Sequence, residues 1–213
     1  MIGRNGQTLP LSGVTASTAD RTSRMDYTRL SLSEALAALD DVAGDAERSF
    51  GELTPAQLNW RPADRAWSVA QCVAHLYTAN RLMVTAARHA LAHPPTLWRR
   101  MPLVPGFFGR QLVRSQAPQT TRKFTTSAIA TPSQSAIDDG VVERFIAGHR
   151  NRTEWIRSLD PDVAARTIMV SPFVRFITYS VLDGCRLMAA HDRRHVEQAR
   201  RVMQTAGFPR ADR

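Results

Sequence analysis

The sequence predicts an all-α fold, a four-helix bundle with a long crossover between its second and third helices. Four segments carry apolar residues at spacings of three and four, the period of a helix that buries one side. Residues 94–136 separate the second segment from the third and hold six prolines with little periodic pattern. No segment combines alternating apolar residues with hairpin turn residues, so we expect no strand pair.

Serine caps mark the starts of the first two helices, which we expect over residues 31–50 and 68–92. In a capping box, the serine hydroxyl accepts from a backbone N–H three residues later, and the Glu or Gln at that position accepts from the serine N–H. The two pairs are Ser31 with Glu34 and Ser68 with Gln71. The second helix has to end before Pro94 and Pro95, because proline cannot continue a helix.

Aromatic residues are expected to hold the connections against the bundle. Trp60 and Trp67 lie in the proline-broken segment between the first two helices, where they would anchor irregular chain on the core. Within the crossover we expect a short helix around residues 107–113. Three apolar residues would fold this helix over the bundle as a lid, namely Phe107, Phe108 and Leu112.

The third helix is expected over residues 135–159 and the fourth over 179–205, after which Gly207 provides a C-terminal stop. The first 30 residues are rich in Gly, Thr and Ser and show no period, which predicts a disordered extension. The predicted domains are the extension over 1–30, the bundle over 31–206 and a tail over 207–213.

The charge of the chain is basic and uneven. The formal net charge is +9, and residues 94–124 contain six basic residues and no acid. Such a segment is either a solvated loop or a surface that attracts nucleic acid, an anionic membrane or an acidic small molecule. No recognition module accompanies it, so we expect no specific nucleic-acid partner. No apolar run approaches the roughly 20 residues of a membrane span. The absence of a secretory pattern predicts a cytoplasmic protein.

Three histidines are candidates for a metal site. His191 and His195 are four residues apart, so on a helix both imidazoles leave the same face and can bind one ion together. His75 lies on the inward side of the second helix, where a histidine is either a hydrogen-bonded core residue or a third ligand from a facing helix. His89 and His93, at the end of the second helix, are expected at the surface.

Several short motifs in this order resemble the DinB/YfiT-like superfamily over roughly residues 31–206. They are Leu58-Asn-Trp-Arg-Pro62, Trp67-Ser-Val-Ala-Gln71, His75-Leu76 and His191-x3-His195-x2-Gln198. The resemblance implies a four-helix bundle in which three histidines hold a divalent metal, and the matching positions are His75, His191 and His195. It also implies activity, since characterised relatives include transferases and isomerases that use low-molecular-weight thiols such as bacillithiol or mycothiol.

Three imidazoles leave a coordination position open, which is typical of catalytic rather than structural metal sites. Cys72 is the one residue that we consider able to close the site. Imidazole ligation does not discriminate among Zn, Ni, Fe and Mn. Asp192 occupies the position at which His-Glu-x-x-His metalloproteases carry their general base, so we do not expect a peptidase.

His149 continues the apolar stripe of the third helix and is expected to face inward. It is either a buried histidine satisfied by a neighbour or a pocket residue that acts as acid, base or support for the metal ligands. The sequence does not identify the catalytic residue, and His149 is the one pocket candidate for that role.

The leading hypothesis for function is a metal-dependent transferase of a low-molecular-weight thiol, or a hydrolase, with a small molecule as its substrate. An open metal site lowers the pKa of a bound water or thiol, and the basic crossover would attract an anionic cosubstrate. The alternative is a non-enzymatic metal-binding or stress-response scaffold. Such bundles commonly form homodimers, although no helix face here indicates an obligate interface.

Overall fold

The computed structural model describes residues 25–64, 66–93, 103–118, 128–133 and 135–210. Its four long helices form the predicted bundle, which confirms the fold class. They are α1 (Leu32–Phe50), α3 (Val69–Ala92), α5 (Val141–Arg157) and α7 (Val181–Met203). Helices α1 and α3 each pack against both α5 and α7, so these last two lie diagonally opposite. None of the helices in the described part of the chain is long and apolar enough to cross a bilayer.

Shorter elements fill the connections between the long helices. These are the 3₁₀ turns Tyr27–Arg29 and Ala128–Ala130, the helices α2 (Pro55–Asn59), α4 (Leu103–Gln116) and α6 (Pro161–Arg166), and the strands β1 (Ile168–Val170) and β2 (Thr178–Ser180). The two strands pair antiparallel, with Met169 opposite Tyr179. The expectation of no strand pair is therefore wrong for this one small hairpin.

The hairpin escaped prediction because its connection is not a tight turn. Seven residues join the strands, and the Ser171 hydroxyl organises them by accepting from the N–H groups of Phe173 and Val174. Because Tyr179 belongs to β2, α7 begins at Val181 rather than at Tyr179, with Ser180 as its N-cap. The Tyr179 ring is fully buried in the core beside Met83 of α3.

The capping boxes at Ser31 and Ser68 are both present, and α1 and α3 start within one residue of the predicted positions. Helix α5, in contrast, begins six residues later than predicted. The reason is Asn59 at the end of α2, whose side chain accepts from the Ile137 N–H and donates to the Ile137 carbonyl. This contact holds residue 137 outside the helix, which then starts after Gly140.

The core continues along the whole length of the bundle. One cluster of buried side chains surrounds Leu39, Met83 and Tyr179 near the hairpin and α4. A second cluster surrounds Phe50, Val73 and further residues of α5 and α7. The site described below lies between helices that both clusters hold in place.

Helix α4 packs on α7 and β2, but not through the residues we expected. Phe107 and Phe108 are 60% and 38% exposed, so the prediction that they fold a lid over the bundle is wrong. Leu112 does pack on the core, beside the fully buried Val113. Gly109 lies against Asp183 of α7. Because Gly109 has no side chain, α4 contacts α7 at this residue rather than through Phe107 and Phe108.

Chain on both sides of the predicted bundle also packs against it. Residues 25–30, which we had assigned to a disordered extension, form a 3₁₀ turn with a buried Tyr27, and Arg186 Nε donates to the Leu30 carbonyl at 2.6 Å. Residues 1–24 lie outside the described part of the chain. In the predicted tail, the Phe208 ring contacts Trp60 edge to face at 5.6 Å, which confirms Trp60 as an anchor.

Two glycines of α4 provide a matched test of this packing. In Gly109→Ala, the new Cβ would lie 2.8 Å from Asp183 Cγ, closer than real Cβ contacts, so we expect a loss of about 1–3 kcal/mol in the free energy of unfolding. In Gly106→Ala, the nearest atom is Arg110 Nη1 at an ordinary 3.5 Å, and the gain in helix propensity should stabilise by up to about 1 kcal/mol. Urea unfolding of both variants measures the difference, and equal effects would contradict the packing described.

Candidate metal centre

Two helices bring the three predicted histidines together. The Ser68 capping box fixes the start of α3, and His75 lies two turns further along on its buried face. Helix α7 carries His191 and His195 on consecutive turns facing α3. One candidate ligand nitrogen from each residue lies within 4.8 Å of the other two, and His75 Nε2 is 3.1 Å from His191 Nε2. We refer to these three residues as the histidine cluster.

A backbone carbonyl fixes the tautomer of His75. Its Nδ1 lies 2.7 Å from the carbonyl oxygen of Ala130, in the second 3₁₀ turn. Since a carbonyl oxygen only accepts, Nδ1 carries the proton and the lone pair of Nε2 points to the other histidines. The crossover, although irregular, thereby orients a residue of the cluster.

Burial keeps the cluster uncharged. It lowers the pKa of His75 below its usual value, that of His191 to about 3, and that of His195 well below its usual value. Neighbouring positive charge acts in the same direction on His191 and His195, and Arg194 contributes to both. Neutral imidazoles at pH 7 are the form that binds metal ions.

Trp67 forms one wall of the histidine cluster. Its ring stacks on that of His195 with centroids 5.7 Å apart and planes inclined by 22°, and it lies 5.1 Å from the His75 ring. The sequence predicted Trp67 to be an anchor, and it does pack on the second core cluster. Its contact with two histidines was not predicted, although its place directly before the Ser68 cap aims it at the start of α3.

The residues present fit a metal ion. Two nitrogens bound to one tetrahedral zinc at about 2.1 Å lie roughly 3.4 Å apart, close to the His75–His191 separation. His195 Nδ1 is buried and is not hydrogen-bonded in the described structure, which is uncommon for a buried polar atom. Cys72 does not join the cluster, and burial raises the pKa of its thiol to about 12, so it is no thiolate ligand.

A buried polar network begins at the residue next to His191. The Asp192 side chain is 1% exposed, and its carboxylate accepts from Asn80 Nδ2 at 3.0 Å and from the Arg152 guanidinium at 3.1 Å. Burial raises the pKa of Asp192, and the charge of Arg152 opposes that rise. From the sequence alone, Asp192 is only a replacement for the metalloprotease Glu. Its partners on α3 and α5 were not predicted.

His149 belongs to the same network. It is buried, its Nδ1 accepts from Arg152, and its Nε2 donates to Asp40 of α1 at 2.8 Å. Burial lowers the pKa of His149, and the adjacent Arg152 adds to this. The structure thus confirms that His149 faces inward, and both of its ring nitrogens are hydrogen-bonded to neighbouring side chains. It lies outside the histidine cluster, and an acid or base role in turnover stays a prediction.

The remaining sequence candidates lie away from the cluster. His89 and His93 are exposed, as predicted, and stack on each other at 4.6 Å. Of the basic segment, the structure describes Arg110 and Arg114 on α4, while residues 94–102 and 119–124 lie outside the described part. Helix α4 reaches the cluster through Arg194 of α7, whose Nη1 donates to the Ser115 carbonyl at 3.0 Å.

Removing the cation of the network tests its importance. In Arg152→Met, Asp192 keeps a buried negative charge without its main partner, so we expect the free energy of unfolding to fall by about 3–5 kcal/mol. Arg150→Met is the control, because Arg150 is exposed on the same helix and its loss should change stability by no more than about 0.5 kcal/mol. Chemical denaturation measures both, and similar stabilities would contradict the role assigned to Arg152.

Comparison with known proteins agrees with the fold. YfiT from Bacillus subtilis, described as a probable metal-dependent hydrolase with an unusual four-helix bundle topology, superposes with a TM-score of 0.55. The alignment covers 96% of each chain at 15% sequence identity, a level that shows the fold alone. Among curated proteins, none matches the sequence. The model of the DinB superfamily matches residues 38–199, from within α1 to within α7. The chain therefore belongs to the DinB superfamily.

Proposed function

We propose that this protein is a metal-dependent enzyme, either a hydrolase or a transferase of a low-molecular-weight thiol, whose divalent metal is held by His75, His191 and His195. The observation that carries the proposal is the composition of the cluster. It contains three neutral histidines, and among the described residues no Cys, Asp or Glu joins them. Three protein ligands leave a coordination position for water or substrate, whereas structural zinc sites are closed by four.

The metal would supply Lewis acidity, which lowers the pKa of a water or thiol at the open position. The protein's own groups prepare the cluster for this. The Ala130 carbonyl holds His75 with its Nε2 lone pair free, and the Trp67 ring covers one side of His75 and His195 and limits the approach of bulk water. Both contacts are rigid, because a backbone carbonyl and a packed indole have little freedom to move.

The environment of Asp192 argues against a peptidase mechanism. A general base needs a carboxylate that can reach the attacking water. The Asp192 carboxylate instead accepts from Asn80 and Arg152 and is buried behind the cluster. Proton transfer by this residue is therefore excluded from the proposed reaction.

The charge beside the cluster favours an anionic substrate. Arg194 precedes His195 in the chain, and its positive charge contributes to the lowered pKa of both His191 and His195. A thiol that carries carboxylates, or an acidic ester or amide, has the complementary charge. YfiT supports the hydrolase form of the proposal, and the family resemblance supports the thiol form.

Metal content is the first test. Protein purified without a polyhistidine tag and loaded with Zn, Ni, Fe or Mn in turn should bind about one ion per chain. Alanine at His75 or His191 should weaken that binding at least roughly tenfold, because two ligands hold an ion poorly. His89→Ala is the control, since His89 is exposed and outside the cluster. Elemental analysis after gel filtration measures the stoichiometry, and wild-type protein without stoichiometric metal would contradict the proposal.

Activity assays separate the two reactions. We expect metal-loaded protein, but not metal-free protein, either to release nitrophenol from acidic nitrophenyl esters or to consume a low-molecular-weight thiol in the presence of an electrophile. His191→Ala should lower that rate at least roughly tenfold because the metal is lost. Equal rates for metal-loaded and metal-free protein would reject a metal-dependent reaction. Stoichiometric metal without turnover in either assay would instead favour the non-enzymatic scaffold.

A further inference from the structure

A second concave site lies between α3 and α5, separate from the histidine cluster. It is a cleft of about 250 Å³, and none of the three clustered histidines lines it. Tyr77, Asn80, Arg81 and Arg88 contribute from α3, where their spacing places them on one face. Gly148 and Arg152 are among the residues that contribute from α5. We call this the α3/α5 cleft.

Gly148 allows the two helices to approach at this point. A Cβ at residue 148 would lie 3.1 Å from Tyr77 Cε2, so the bare backbone of α5 packs closely against the tyrosine ring. The Arg81 guanidinium lies over the same ring, 5.5 Å from its centroid. An arginine held over an aromatic ring keeps its N–H groups available in the plane of the guanidinium.

The cleft is positively charged. Besides Arg81, Arg88 lines it, with its guanidinium 5.2 Å from the centroid of the Trp155 ring. Among the described residues, no carboxylate lines the cleft, and neither Arg81 nor Arg88 forms an ion pair with one. Two positioned guanidinium groups at the rim of one cleft are complementary to an organic anion.

Two side chains that line the cleft have unsatisfied polar atoms. Asn80 and Arg152 are 3% and 5% exposed, and both use other atoms in the network around Asp192. Asn80 Oδ1 and Arg152 Nε are buried, and neither has a hydrogen-bond partner in the described structure. An unpaired buried polar group is costly and rare. Both atoms have almost no accessible surface, so they lie beneath the floor of the cleft rather than on it.

We propose that the α3/α5 cleft binds a small dicarboxylate. Its two carboxylate groups would accept hydrogen bonds from Arg81 and Arg88. The volume is below the roughly 300 Å³ at which pockets for drug-sized ligands begin, so the ligand has only a few carbon atoms. This site is independent of the function proposed for the histidine cluster.

Malate is a suitable probe, because it is a small dicarboxylate with one hydroxyl group. Isothermal titration calorimetry of the full chain should show saturable binding of malate. Arg81→Gln and Arg88→Gln should each weaken it roughly tenfold, as expected for a lost charge-assisted hydrogen bond. Arg150→Gln is the matched control, since Arg150 is an exposed arginine of α5 outside the cleft, and it should leave binding unchanged.

Succinate and the metal-site variant complete the test. Succinate carries the same two carboxylates without the hydroxyl, and it should bind about as tightly as malate. Malate binding should persist in His75→Ala, which distinguishes the cleft from chelation of malate by a metal in the histidine cluster. The proposal is overturned if wild-type protein binds no malate at millimolar concentration. It is also overturned if Arg150→Gln weakens binding as much as Arg81→Gln, because malate would then respond only to the net charge.

Discussion

The buried contact between Arg152 of α5 and Asp192 of α7 is the constraint on which the rest of the bundle depends. Two charges removed from water are tolerated only if they are paired and their remaining hydrogen-bonding groups are satisfied. Asn80 of α3 and, through His149 of α5, Asp40 of α1 supply most of those bonds, so each long helix contributes at least one side chain. A rotation of any helix about its axis would break the network. Because Asp192 follows His191 in the chain, the same constraint fixes the rotation of α7 that aims its histidines at α3.

The histidine cluster combines ligands from regular helices with support from irregular segments. Helices α3 and α7 position the three imidazoles, because their packing leaves little freedom along or about the helix axes. Two groups from the connecting segments complete the surroundings of the cluster. They are the Trp67 ring, just before the cap of α3, and the Ala130 carbonyl, in the crossover. This division lets a constant pair of helices serve different substrates, since the walls of the site can change while the ligand geometry stays.

The fold was predictable from local signals, and the site only in part. Apolar periodicity identified all four long helices, and the capping boxes placed the starts of α1 and α3. The spacing of His191 and His195 predicted that they share one helix face, and it left His75 as either a core residue or a third ligand. The family resemblance supplied the prediction that all three meet. Contacts that depend on helix rotation were not predictable. Arg152 is visible on the apolar stripe of α5, but nothing local indicates that Asp192 is its partner. The same limit explains the wrong assignment of the packed face of α4, where a glycine rather than two phenylalanines faces α7.

The hydrogen bond from His75 to residue 130 bears on how this fold can diverge. The acceptor is a backbone carbonyl, so its chemistry does not depend on which amino acid occupies position 130. The one condition is size, because the position is buried and its side chain has to be about as small as that of alanine. The crossover can therefore accumulate substitutions, insertions and changes of charge while the imidazole stays oriented. A comparison of sequences alone would show no conserved partner for this histidine, and would classify as dispensable a segment that supplies one of its essential contacts.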